Sequence, residues 1–230
     1  MENHPTRVSS NNPNLYRWKN WEEQTPFAPS FDIPVYIDQC GKDITHDLLY
    51  LLSKKEVCRD VRREKWLTYN LFDWDDFVIG LLCDRIYQVY EDYMRAIDLD
   101  PLTKDKIWIR GWGVVLGNNE FIPHHSHSFH ENTYLSGNLS LSDSDTTTDY
   151  LFPYLGWYFG YWKVKNIPGK MVLFPSWLEH RVTSNQTGKL RFSLGFDMFT
   201  EQSISYIRNN RNESSELQKT LLLSKRMDLI

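Results

Sequence analysis

The sequence predicts an α+β fold in which helices come first and an antiparallel sheet follows. Residues 43–97 repeat apolar side chains at helical spacing, and beyond Pro101 the chain breaks into short alternating runs separated by Gly, Pro, Asn, Asp and Ser. Helices segregated from strands are the mark of α+β chains. A third observation agrees. Aromatic residues make up 15% of the chain, which suits a β-rich, cavity-bearing interior better than a helical bundle.

Taken in order, residues 1–30 are rich in Asn, Pro and Ser and read as a polar N-terminal segment, a tail or a stretch draped over the domain. Residues 31–200 form a single domain. Within it Asp32–Asp38 is a short strand, expected at a sheet edge because Pro34 cannot donate to a ladder. From Asp43 the residues Ile44, Leu48, Leu49, Leu51 and Leu52 form an apolar stripe, followed by a charged run around Arg59–Lys65. A longer helix is expected from about Asp73 to Ile97, with Trp74, Val78, Leu81, Leu82, Ile86, Val89, Tyr93 and Ile97 on one face and Asp73, Asp75 and Asp76 at its positive end. Strands are expected at Lys106–Leu116, Tyr134–Leu141, Trp157–Val164, Met171–Phe174 and Lys189–Phe199. The Ser/Asp/Thr run Ser140–Asp149 reads as a solvated loop. Residues 201–230 read as a C-terminal helix or tail, with Ser215 and Gln218 at capping-box spacing in the amphipathic stretch Ser215–Met227. That helix is expected to lie on the sheet or to serve a homodimer contact.

Composition narrows the function classes. A chain of 230 residues can build one well-buried core. Its net charge of −4, with both signs interspersed, gives no electrostatic case for binding nucleic acid or an anionic membrane. Cys40, Cys58 and Cys83 are odd in number and scattered, so neither a disulfide framework nor a cysteine metal motif is indicated, and a reducing, cytoplasmic setting is expected. No basic region with an apolar core opens the chain, and no apolar run approaches the ~20 residues of a membrane span. The expectation is a soluble, non-exported protein, in which the Asn-x-Ser/Thr sites at Asn138, Asn185 and Asn212 carry no meaning.

Two stretches carry chemistry. Four of the seven histidines crowd into Pro-His-His-Ser-His-Ser-Phe-His at positions 124, 125, 127 and 130. In an extended segment His125 and His127 point to one side, so a third ligand from a neighbouring strand would complete one face of a metal ion. Imidazole suits Fe, Zn, Cu or Ni. His4 and His46, isolated elsewhere, read as surface or hydrogen-bonded residues. The second stretch runs from Pro168 to Asp197. A Pro-Gly turn launches Met171–Phe174, Pro175 stops it, His180 follows, and then Arg191 and Ser193 alternate with Leu190, Phe192 and Leu194. Alternation sets the cation on the opposite face from the apolar residues, a costly place unless an anion meets it. The aromatic run Trp157–Trp162 and Trp177 suit either the wall of a cavity or the core.

Trp112, His125-Ser126-His127, Leu135-Ser136-Gly137, Pro168-Gly169, Leu173-Phe174-Pro175-Ser176-Trp177-Leu178-Glu179-His180-Arg181-Val182, Asn185 and Arg191-Phe192-Ser193-Leu194 together resemble the small 2-oxoglutarate and Fe(II)-dependent oxygenases of phage and marine bacterial type. The resemblance spans about residues 106–199, and its specific part is Phe-Pro-Ser-Trp-Leu-x-His-x-Val followed by Arg-x-Ser. It implies a double-stranded β-helix, a jelly-roll, cupin-like pair of sheets, with the N-terminal helices packed on one sheet. It also implies that His125 and His180 are iron ligands, and that His127 stands where the wider superfamily has a carboxylate. Arg191 is similar to the arginine that pairs with the distal carboxylate of 2-oxoglutarate, with Ser193 beside it. No Asp or Glu stands two residues after any of the clustered histidines. The third ligand is therefore His127, or His130, or a carboxylate such as Glu131; aligning forward from Trp112 favours His127, and aligning backward from Ser136-Gly137 favours His130.

The resemblance implies an oxidoreductase using Fe(II), 2-oxoglutarate and dioxygen to oxidise an unactivated C–H bond of a small-molecule or amino-acid-like substrate, releasing succinate. Hydroxylation is the leading outcome, with desaturation, cyclisation or halogenation as others. Two further classes stay open on the residues alone: a three-His dioxygenase of cupin type that uses no 2-oxoglutarate, and a non-catalytic jelly-roll binding protein.

Overall fold

A computed structural model of the chain describes residues 6–8, 10–19, 25, 27, 32–55, 68–127, 131–152, 161–210 and 220–225. Its first elements are the strands β1 (Thr6–Val8), β2 (Leu15–Lys19) and β3 (Asp32–Gln39), then the helices α1 (Lys42–Lys54) and α2 (Phe77–Ala96). Nine further elements follow: strands β4 (Trp108–Leu116), β5 (Ile122–His125), β6 (Leu135–Ser140), β7 (Thr147–Leu151), β8 (Tyr161–Lys165), β9 (Lys170–Pro175), β10 (His180–Val182) and β11 (Arg191–Phe199), and helix α3 (Glu201–Asn210). A short strand β12 (Leu221–Leu222) follows, within the stretch Ser215–Met227 expected to be helical; its pairing with β4 draws those residues into the sheet.

The strands make two sheets, ordered β1-β2-β3-β9-β6-β11-β4-β12 and β5-β10-β7-β8, and every pairing among the described residues is antiparallel. The period of two sorts the large sheet into two faces. Ile109, Leu139, Met171, Leu173, Leu194, Phe196 and Met198 share one buried cluster with Leu48, Leu52, Leu82, Ile86, Val89, Tyr90 and Tyr93 of the helices. The opposite face looks toward the small sheet, and there Trp18, Ile33, Val35, Val172 and Phe174 meet Tyr150, Phe152 and Val164. Helices on one face and a second sheet on the other reproduce the expected jelly-roll with an N-terminal helical layer.

The second helix starts later than its apolar spacing suggests. Asp76 caps it, accepting a bond from the Val78 amide at 3.0 Å, while Leu71–Asp73 forms a separate turn of 3₁₀ helix. The Asn70 side chain ties that turn to β4, reaching the Ile109 carbonyl at 3.2 Å and the Gly111 amide at 2.9 Å.

Three further expectations are corrected. The N-terminal segment read as a tail contributes β1 and β2, with β2 paired to β3 and its Trp18 buried against Trp162 and Phe152. Its polar composition hid a strand whose ladder partner lies in β3. That strand is interior, not an edge; yet its pairing with β9 covers only Tyr36–Gln39, so Pro34 has β2 alone beside it. The third correction falls in the supposed solvated loop. Thr147 opens a strand, and Ser140, Ser144, Thr146, Thr148 and Asp149 are buried. Each hydroxyl there is satisfied inside the protein: Asn166 reaches Ser140, Thr146 and Thr148, and Asp149 accepts from Arg181 and Thr147. Buried polar groups of this kind are tolerated once hydrogen-bonded.

The charged run at Arg59–Lys65, the stretch Trp157–Gly160 and the capping pair Ser215 and Gln218 lie outside the described residues. Among those described, no helix is long and apolar enough to cross a membrane.

Candidate metal centre

β10 is three residues long, yet it sets the site. It lies between β5 and β7, and its first residue, His180, stands directly opposite His125. Cross-strand neighbours lie side by side, so the two imidazoles meet with ring centroids 4.3 Å apart. Two residues beyond His125 the chain bends back, and the His127 amide donates to the Ser176 carbonyl at 2.9 Å. This returns the third ring to the same side, 5.3 Å from His125 and 5.1 Å from His180. One ring nitrogen from each of the three lies within 4.8 Å of the other two.

Hydrogen bonds decide which nitrogen each ring offers. Nδ1 of His125 sits 2.9 Å from the Pro123 carbonyl and Nδ1 of His180 sits 3.0 Å from the Leu178 carbonyl. Nδ1 of His127 lies 2.5 Å from Oδ1 of Asp197. Carbonyl and carboxylate oxygens accept, so each ring donates from Nδ1 and leaves Nε2 as its candidate ligand atom. Burial, reinforced by the other imidazoles, holds His180 well below the usual histidine range, and burial lowers His125 too. Neutral imidazoles with free Nε2 atoms are what a borderline-soft divalent cation requires.

Farther along the same cavity the first residue of β11 turns its guanidinium inward. Arg191 is 3% exposed, donates from Nη1 to Ser193 Oγ at 2.8 Å, and has no hydrogen-bond partner at Nε. Among the described residues it forms no ion pair, and burial brings its pKa down to about 10. It is still a cation at neutral pH, lines a cavity of about 60 Å³ and keeps an unused, buried donor at Nε. A bidentate anion such as a carboxylate matches that fork.

Much of the rest of the wall is apolar. Trp112 lies across Gly195, whose missing side chain leaves room for the indole: a Cβ there would fall 3.0 Å from two of its ring carbons. Val114, Phe174 and Val182 add apolar surface, and Asn138 and Thr148 polar points.

His125, His127, His180, Arg191 and Ser193 are thus brought to one cavity. Of the rivals for third ligand, Glu131 is exposed in a turn and is not among the three, and His130 lies outside the described residues. His124 points away and meets the Tyr161 hydroxyl at 2.9 Å, while His46 is exposed beside Asp47. Trp162 packs in the core with Trp18 and Tyr150, and Trp177 packs against the same cluster. Asp197 is the residue sequence reasoning missed. Its position on the same strand face as Arg191 and Ser193, at intervals of two, was the available signal.

Comparison with known proteins bears on one stretch of the chain and on its fold. A family model described as "Putative 2OG-Fe(II) oxygenase" matches residues 155–197, the stretch that carries His180, Arg191 and Ser193. No curated protein matches the sequence. Among solved structures, a Pseudomonas putida prolyl-4-hydroxylase superposes with a TM-score of 0.54 at 13% identity, covering 73% of this chain and 85% of that one. HygX from Streptomyces hygroscopicus, solved with iron bound, gives 0.52 at 14% identity, covering 73% and 82%. The same protein with nickel and 2-oxoglutarate bound gives 0.51 at 15% identity over the same shares. At such identities the likeness is one of fold.

Proposed function

Taking the chain as a 2-oxoglutarate/Fe(II) oxygenase by its matched signature and its fold, we propose that it oxidises an unactivated C–H bond of a small-molecule or amino-acid-like substrate, with hydroxylation as the outcome. The observation that carries this reading is one cavity holding three imidazoles with ring nitrogens brought together and, beyond them, a buried guanidinium with a spare donor.

In this reading His125, His127 and His180 hold Fe(II). When bound there, iron with 2-oxoglutarate and dioxygen supplies the oxidising power, the co-substrate leaving as succinate and carbon dioxide. The protein supplies position and exclusion. Arg191 takes the distal carboxylate of 2-oxoglutarate through its unused donor, and Ser193, already bonded to Nη1, holds the fork in plane. The anion in turn compensates a cation that is otherwise costly to bury. Trp112, Phe174 and Val182 keep water away from the space between the two groups, which strengthens each polar contact inside it. The three Nδ1–H bonds prevent the rings from turning their lone pairs elsewhere.

The test is anaerobic titration with Fe(II) and 2-oxoglutarate. A visible charge-transfer band, and succinate release on admitting air, are expected. Absence of both overturns the proposal. Activity that proceeds without 2-oxoglutarate and survives Arg191→Ala would instead support a three-His dioxygenase.

A further inference from the structure

If three imidazoles hold the ion, the metal has no anionic protein ligand, whereas superfamily sites with two His and one carboxylate do. A carboxylate is nonetheless present, one step back. Asp197 Oδ1 accepts from His127 Nδ1 at 2.5 Å and from Ser136 Oγ at 2.6 Å, and the Asp197 side chain is 14% exposed against 9% for His127. The other two ligand rings donate to neutral carbonyl oxygens; His127 is the one of the three whose partner is a carboxylate.

The surroundings fix this pair from several sides. Asp197 stands opposite Ser136 in the β11–β6 register, so the serine hydroxyl meets the carboxylate across the ladder. The Ser136 and Ser176 hydroxyls lie 2.9 Å apart, and the Ser176 carbonyl takes the His127 backbone N–H. Ring and backbone of His127 are therefore held by the same short chain of groups, built from Ser136, Ser176 and Asp197. A largely buried carboxylate that accepts from Nδ1 fixes the orientation of the ring and raises the basicity of its Nε2.

We infer that Asp197 is a positioning residue of the metal centre: through His127 it restores, one shell out, the negative charge that a ligating carboxylate would bring, and it locks that imidazole with Nε2 toward the ion. The inference rests on the three-imidazole reading and concerns which protein group sets the electronic character of the site.

Asp197→Asn separates charge from geometry, because an amide oxygen can accept both existing hydrogen bonds. Asp197→Ala removes both. The readouts are calorimetric affinity for Mn(II), the absorption spectrum of the Co(II) form, and the Fe(III)/Fe(II) potential. Asp197→Ala is expected to weaken Mn(II) binding by ~10–100-fold, the usual effect of losing an outer-shell partner, and to change the Co(II) spectrum. Asp197→Asn is expected to keep the Co(II) spectrum, bind Mn(II) more weakly than wild type but better than the Ala variant, and shift the potential to more positive values. Should the Ala variant fail to fold, the isosteric Asn variant decides. Wild-type affinity and potential in Asp197→Asn overturn the charge role while leaving the three-imidazole reading intact. A wild-type protein that takes up no Mn(II) or Co(II) overturns that reading and this one with it.

Discussion

Replacing Arg191 by Met tests whether the protein tolerates a burial penalty in order to bind an anion. Burial lowers the guanidinium from its usual value to about 10, which corresponds to about 3 kcal/mol against the charged form. A folded-state pKa below the unfolded one means that the penalty is present in full wherever the group is protonated in both states, which includes the whole neutral range. Met is close in length, carries no charge and removes the penalty. Against this stands the lost bond from Nη1 to Ser193 Oγ, about 1.5–3 kcal/mol for a charged donor. The ligand-free variant should therefore match the wild type or exceed it by up to about 2 kcal/mol, at about 2–4 °C of Tm per kcal/mol for a chain of this size. With 2-oxoglutarate at a hundred times its Kd, the wild type should gain about 2.7 kcal/mol and the variant nothing. Differential scanning fluorimetry of the Mn(II)-loaded proteins, with and without 2-oxoglutarate, gives both numbers. A ligand-free variant destabilised by more than about 2 kcal/mol, or a variant that keeps the 2-oxoglutarate shift, would refute the reasoning.

Other expectations address separate parts of the structure. His180→Ala deletes a buried ring that faces both His125 and His127, so metal retained after gel filtration should fall to background by elemental analysis. Gly195→Ala would bring a Cβ to 3.0 Å from the Trp112 ring and press the indole toward the cavity; a loss of about 1–3 kcal/mol in urea unfolding and quenched or shifted Trp fluorescence should accompany weaker 2-oxoglutarate binding. Asn185 is fully buried, and its amide reaches the carbonyls of Leu116, Gly117 and Lys189. Asn185→Ala should therefore lower Tm by roughly 4–12 °C, the consequence of about 2–3 kcal/mol of orphaned acceptors. Its metal content should be unchanged.

Much of the helical layer was legible in order, because the stripes at Leu48, Leu49 and Leu52 and from Val78 to Tyr93 obey a local period that needs no partner to be read. Strands β4, β6, β8, β9 and β11 were legible for the same reason, and so was the placing of Arg191 with Ser193 on one face; β5, β7 and β10 were not. The errors share a cause. Leu15–Lys19 and Thr147–Leu151 are polar enough to pass for coil, and they become strands only because β3, β8 and β10 offer ladder partners. Trp162 and Trp177 could not be assigned between cavity and core until the sheets were set face to face.

The sequence by itself determined which side chains could do chemistry: two imidazoles at a spacing of two, a third beyond the Phe-Pro-Ser-Trp-Leu run, and a cation on an alternating strand. Only the tertiary structure decided that His180 lies across from His125, that Glu131 stays in solvent, and that a carboxylate seventy residues from His127 holds its Nδ1. Spacing along the chain fixes the face on which a residue lies. Ladder pairing between distant strands fixes what that face meets, and no local period encodes it.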